Sequence, residues 1–197
     1  MNRTNKLTLT LVTGIILSSC VSTVSTKIAR KTGLTSESQA RKLLDEAFLA
    51  QGFNNLKNKA VYEVVATDKW KGPLGRMAKL WPNLEAKLNL KYSLGSFDGR
   101  VEYLDGKKKG GVAGLQSWNY YEKDPDGELE FKKKANARIE FGLSAFQYFF
   151  EMTSRLKTAQ IVVMAGEKEF KGQSYDLILA TWGKIKGHKK YDQYLLW

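Results

Sequence analysis

Residues 84–94 read LEAKLNLKYSL, and in them Leu84, Ala86, Leu88, Leu90, Tyr92 and Leu94 alternate with Glu85, Lys87, Asn89, Lys91 and Ser93. A two-residue period sends successive side chains to opposite faces of a strand, so the stretch predicts a strand with one apolar and one wet face. Outward from it, weaker alternation recurs over residues 60–69, 100–104, 112–122, 135–141, 159–166 and 174–182. Turn signals separate these runs: Phe97-Asp98-Gly99, Asp105-Gly106, Asp124-Pro125-Asp126-Gly127 and Lys171-Gly172. Consecutive strands joined by short turns imply an antiparallel meander.

Helical periodicity frames and interrupts the meander. Ser36 and Gln39 have capping-box spacing, Ala40, Leu43, Leu44, Ala47 and Phe48 recur at helical intervals, and Gly52 stands where a C-terminal cap belongs, which predicts a helix over 37–51. A short segment around Arg76–Trp81 ends at Pro82. Residues 144–156, SAFQYFFEMTSRL, place Phe146, Phe149, Phe150 and Thr153 on one helical face, flanked by Tyr148 and Met152. A meander with one apolar face must be covered, and the two helices, 37–51 and 144–156, are the available covers. The expected class is therefore α+β: a curved antiparallel sheet, or half-barrel, spanning 35–197 with helices on its concave face. The last residues, YDQYLLW, read as a strand with no turn after it, so one or two further strands are expected beyond Trp197.

The chain carries 32 Lys plus Arg against 20 Asp plus Glu. Clusters lie at Lys107–Lys109, Lys132–Lys134 and Lys184–Lys190, in or beside turns and strand edges. Two readings stand: solvated lysines that block edge-to-edge strand pairing, or a basic rim that attracts anionic lipid headgroups. Nucleic acid, the usual partner of such charge, is set aside because the chain begins with an export leader. Arg3 and Lys6 supply a positive start and Leu7–Leu17 an apolar run, broken by Thr8, Thr10, Thr13 and Gly14. That run is shorter than the ~20 residues a membrane-spanning helix needs, and the layout is that of a cleaved signal peptide over residues 1–19.

Cys20, the one cysteine of the chain, follows Leu17-Ser18-Ser19 directly. The arrangement resembles the lipobox of bacterial lipoproteins, which implies that Cys20 becomes an acylated membrane anchor. Two or more chains at about 0.8 kcal/mol per buried methylene hold a protein stably. Val21 stands where an aspartate would retain such a protein in the inner membrane, and the same resemblance then implies the outer membrane, at its periplasmic face. Residues 21–34, VSTVSTKIARKTGL, are small and polar and read, with Cys20, as a flexible tether. A single lipidated cysteine leaves no disulfide.

The order of helix, meander, aromatic helix and final hairpin resembles the outer-membrane lipoprotein carrier and receptor family of the Lol type. The residues that carry the likeness are 98–122, DGRVEYLDGKKKGGVAGLQSWNYYE, and 172–187, GQSYDLILATWGKIKG. They look like the family's glycine-punctuated central strands leading to a Trp, and its late hairpin in which a Tyr-Asp pair leads to an apolar strand. The soluble carrier of that family lacks a lipobox, so the comparison is with its membrane-bound branch. The resemblance implies a cavity for lipoprotein acyl chains and a part in outer-membrane lipoprotein sorting.

Catalytic patterns are missing from the sequence. His188, the one histidine, sits in KIKGHKK, a turn with no nucleophile or orienting partner. No Gly-x-Ser-x-Gly, Walker loop or His-Glu-x-x-His occurs, and zinc has no cysteine and histidine pairs to bind it. Glu122, Asp124, Asp126 and Gly127 match the early positions of a calcium loop, but Lys133 occupies the place of its bidentate glutamate. No enzyme, metal or cofactor is expected. The remaining chemistry is apolar: a gap under the aromatic helix would be lined by Leu88, Leu90, Tyr92, Trp118, Tyr120, Phe146, Phe149 and Phe150 and would take a lipid or lipoprotein acyl chain. The competing reading makes these residues a filled core, and the chain a structural or interaction lipoprotein of the cell envelope.

Overall fold

The alternating stretch forms the second strand of a six-stranded antiparallel sheet ordered β1 to β6 in sequence: β1 Val61–Lys69, β2 Glu85–Ser93, β3 Gly99–Tyr103, β4 Val112–Gln116, β5 Asn119–Lys123 and β6 Glu130–Phe131. A second, three-stranded antiparallel sheet holds β7 Ile161–Phe170, β8 Gln173–Thr181 and β9 Gln193–Leu196. The helices are α1 Glu37–Ala50, α2 Gly72–Ala78, α3 Ala137–Phe150 and α4 Met152–Leu156. This computed structural model describes residues 29–31, 33–56, 60–185 and 191–197. The class is α+β, and neither sheet closes into a barrel among the described residues. The described residues divide into two compact units, one within Leu44–Thr158 and a second that joins those up to Leu43 with those of Ala159–Trp197.

In the Leu44–Thr158 unit the register lines up one apolar face. Leu88 lies opposite Ala66 and Tyr103, Leu90 opposite Val64 and Val101, and Tyr92 opposite Tyr62 and Gly99. On β4, Ala113 faces Val101 and Leu115 faces Tyr120. These side chains bury together with Trp81 and with Ile139 and Leu143 of α3, while Phe146 and Phe150 pack against the cluster. Ile139, Leu143, Phe146 and Phe150 are spaced as one helical face. Full burial of each leucine contributes about 1.5–3 kcal/mol.

Two glycines explain the punctuated stretch. A Cβ at Gly99 would stand 2.3 Å from Cδ1 of its cross-strand partner Tyr92, and one at Gly114 would stand 2.3 Å from Cζ of its partner Tyr121. In both pairs the tyrosine ring lies across the space a side chain would take.

In the other unit, Val163, Ala165, Leu177 and Leu179 form a buried cluster with Ala29, and Ile161 and Ile185 pack against it. Ser36 does not act as the expected capping box. It lies in a 3-10 turn, Gly33–Ser36, where its hydroxyl donates to the Gly33 carbonyl and accepts the Met164 N–H at 3.1 Å. Within the stretch read as a tether, residues 29–31 are helical and Ala29 is buried.

Two expectations about local structure are corrected. Residues 135–141 are not a strand: Asn136 caps α3 by accepting the Arg138 N–H, and the helix begins at Ala137. Residues 112–122 are not one strand but a hairpin, with Ser117 and Trp118 at φ of 50° and 63° in its two-residue turn. The interruption expected around Arg76–Trp81 contains α2, which Pro73 starts within Gly72–Ala78.

Candidate functional site

Cover over the apolar sheet face is complete at β2 and incomplete at β1. Ala86, Leu88, Leu90 and Tyr92 are at most 1% exposed, whereas Tyr62, Val64 and Ala66, their neighbours on the same face, are half-buried. Among the described residues β1 is an edge strand, and only the C-terminal end of α3, at Phe150 and Glu151, reaches it. A shallow recess open to solvent, the cavity of this site, with space of about 310 Å³, lies there, lined by Gln51, Leu56, Tyr62, Val64 and Phe150. Leu56, Val64 and Phe150 are apolar, Tyr62 is aromatic and Gln51 is polar, so the recess suits a largely apolar occupant.

Beside the cavity is a buried polar knot. Glu151, 1% exposed, ends α3 and receives four donors. The Tyr62 hydroxyl donates to Oε1 at 2.9 Å and Gln147 Nε2 to the same oxygen at 2.8 Å; the Gly95 N–H donates to Oε2 at 3.3 Å, and Arg155 Nη2 ion-pairs with it at 2.8 Å. Gln147 Nε2 also reaches the Ser93 carbonyl and Arg155 Nη2 the Ser96 carbonyl. The Arg155 guanidinium lies 4.1 Å from the Phe97 ring centroid. A buried carboxylate is costly unless paired and hydrogen-bonded, and here both conditions hold. The knot ties α3 and α4 to the β2–β3 turn and to β1. Burial, with the nearby Glu151 charge, pushes the hydroxyls of Tyr62 and Tyr92 well above the ordinary tyrosine range.

The residues expected to line a ligand gap are placed as follows. Leu88, Leu90, Tyr92 and Tyr120 lie in the packed cluster, with Phe146 and Phe150 against it. Phe150 alone among them walls the cavity. Two do not join: Phe149 is 64% exposed and Trp118 62% exposed. Phe149 points away because the covering face of α3 is set by Ile139, Leu143, Phe146 and Phe150, and Phe149 is one residue off that stripe. Trp118 sits at the hairpin turn and packs against Phe97 in a tilted arrangement, ring centroids 5.3 Å apart. Sequence reasoning missed Tyr62, Val64, Leu56, Gln147 and Glu151. A signal was present for the last two, since Leu143, Gln147, Glu151 and Arg155 are spaced four apart.

Cys20, His188, the leader and the end of the last lysine cluster lie outside the described residues. Lys107–Lys109 and Lys132–Lys134 are exposed, with Lys108 paired to Asp124 at 2.6 Å and Lys132 paired to Glu130. Among the described residues, no group of His, Cys, Asp and Glu side chains is placed to hold a metal ion, and no helix is long and apolar enough to cross a membrane. No protein-family model matches the chain, and neither a curated protein nor a solved structure matches it.

Proposed function

We propose that the chain is a membrane-anchored lipoprotein, held through acylated Cys20 at the periplasmic face of the outer membrane, that binds a lipid or lipoprotein acyl chain. The reading includes a half-barrel, with helices on the concave face of the curved sheet, and a part in outer-membrane lipoprotein sorting. One observation carries it: the apolar sheet face is left half-covered at β1, beside the cavity walled by Leu56, Tyr62, Val64 and Phe150. Binding would be passive, each methylene that leaves water contributing about 0.8 kcal/mol. Anionic headgroups would be drawn to the exposed lysines.

The test uses the full chain with Cys20→Ser, so that no anchor lipid obscures the readout, extracted with organic solvent and examined by mass spectrometry. Stoichiometric lipid that is lost in Val64→Glu, with the circular dichroism of the sheet retained, supports the reading. A folded protein that carries no lipid refutes it.

A second reading is favoured by a different observation. Leu88, Leu90 and Tyr92, expected at a cavity wall, are packed to at most 1% exposure, as in a structural or interaction lipoprotein with a filled core. That protein would be lipid-free and would co-purify with an envelope partner after crosslinking.

A further inference from the structure

The recess beside β1 keeps one side-chain donor in reserve, and what that donor recognises rests on the acyl-binding reading above. Of the five side chains that line the recess, two carry polar atoms, Gln51 and Tyr62. The Tyr62 hydroxyl commits its proton to Glu151 Oε1 at 2.9 Å. Gln51 is only half engaged: its Oε1 accepts the Thr153 hydroxyl at 2.6 Å, while its Nε2 meets no acceptor among the described residues. Gln51 is exposed as well as lining the recess, so its amide is open to a ligand in a way that a donor of the packed core is not.

Thr153 decides which end of the amide is free. It lies on α4 and is 4% exposed, and a buried hydroxyl must place its proton on an acceptor. Gln51 Oε1 is the acceptor it finds. The oxygen of the amide is therefore spent on α4, and the NH2 is left to donate. An amide whose oxygen already accepts a hydrogen bond is polarised into a stronger donor. The backbone beneath it is held too: the Gln51 N–H donates to the Ala47 carbonyl at 3.0 Å, continuing the last turn of α1, and Gly52 follows at a φ of 76°, the left-handed conformation that ends a helix.

We propose that Gln51 Nε2 donates to the carbonyl oxygen at the head of the acyl chain, so that the recess distinguishes acyl compounds from chains of the same length that lack the carbonyl. The methylenes rest on Leu56, Val64 and Phe150. A carbonyl taken from water without a new partner is penalised, and Gln51 supplies that partner. Gln51 is then a specificity-determining residue and Thr153 a positioning residue that acts through it. An ester and a free fatty acid present the same oxygen, and the recognition chemistry is shared.

The experiment titrates the full-length Cys20→Ser chain into methyl decanoate, into decyl methyl ether, which has the same chain without the carbonyl oxygen, and into sodium decanoate. Affinity is read from the broadening of each ligand's terminal methyl resonance. The parent should bind the ester about two- to tenfold more tightly than the ether, the worth of one neutral hydrogen bond. In Gln51→Leu that ratio should fall to near one while the affinity for the ether is kept. Thr153→Val should lower the ratio and also leave the ether unaffected, which a loss of fold would not do. Should Gln51→Leu fail to fold, Gln51→Glu keeps an acceptor for Thr153, removes the donor and should likewise lose the preference for the ester. Tighter binding of decanoate than of the ester identifies a free fatty acid as the source, and the reverse identifies an ester. A parent with no preference for the ester, or an equal preference in Gln51→Leu, overturns the proposal and leaves the acyl-binding reading standing. Binding of none of the three compounds refutes that reading, and the proposal with it.

Discussion

The Tyr62 hydroxyl donates to Glu151 Oε1 at 2.9 Å across 89 residues of sequence, so a residue of the sheet's edge strand satisfies a carboxylate buried at the end of α3. The same tyrosine walls the apolar cavity. The edge strand is thereby fixed by a polar contact where apolar cover runs out. Tyr62→Phe should cost about 1–3 kcal/mol, because a buried acceptor loses one of its donors. Glu151→Ala should cost more, about 3–5 kcal/mol, because it strands the Arg155 guanidinium, 14% exposed, without its counter-charge. Urea midpoints of the two single variants and the double variant measure the coupling. Additive losses would show that the contact does not contribute.

Alkaline pH should unfold the protein through its tyrosines. Burial raises the hydroxyls of Tyr62, Tyr92, Tyr103 and Tyr120, and nearby carboxylates raise them further. Below the unfolded value near ~10 they are protonated in both states and stability does not depend on them. Above it the unfolded chain sheds protons that the folded chain keeps, so stability falls by up to about 1.4 kcal/mol per pH unit for each such tyrosine. Urea midpoints across this range should decline, and Tyr92→Phe should decline less steeply than the parent. Equal slopes would refute the assignment.

Gly99 and Gly114 should respond differently to alanine although their geometry is alike. At Gly99 the new methyl meets the ring of Tyr92, which is locked in the core at 1% exposure. Nothing there can move, and overpacking of this kind costs about 1–3 kcal/mol. At Gly114 it meets Tyr121, a half-buried ring that packs edge-to-face on Phe131 near the sheet edge. Tyr121 can swing outward, so Gly114→Ala should cost less, and Tyr121→Ala should remove the remaining cost. Thermal denaturation of the three variants decides between them.

Legibility in the sequence followed the strength of the physical signal. Residues 84–94 were readable because burial on one face demands strict alternation, and Leu88, Leu90 and Tyr92 are buried accordingly. The same rule misleads at 135–141, where Ala135, Ala137, Ile139 and Phe141 also alternate. There Asn136 caps a helix, and Phe141, apolar in the strand reading, ends up 63% exposed. The 112–122 hairpin was hidden because its turn is Ser117-Trp118 and lacks the asparagine or glycine that positive φ favours. The packed part of the candidate site was legible as an apolar face. The cavity was not, because it arises at the margin of the helix's cover over the sheet, and Glu151 was legible only through its four-residue spacing from Gln147 and Arg155, because its contacts with Tyr62 and Gly95 are distant in sequence.

Phe149 and Phe150 test which face of α3 matters, since the sequence alone treats them alike. Phe150 packs on Tyr92 and Phe146 with ring centroids 6.3 Å and 6.0 Å away and walls the cavity. Phe149 is 64% exposed and belongs neither to the core cluster nor to that wall. Phe149→Glu should therefore change stability by no more than about 0.5 kcal/mol, as surface substitutions do. Phe150→Ala should cost about 2 kcal/mol or more, below the value for a fully buried ring because part of its surface is already open. If the cavity holds an acyl chain, retention of lipid should fall in Phe150→Ala and persist in Phe149→Glu. A reversed pattern would mean that the helix presents its other face to the ligand, and the cavity beside β1 would lose its claim.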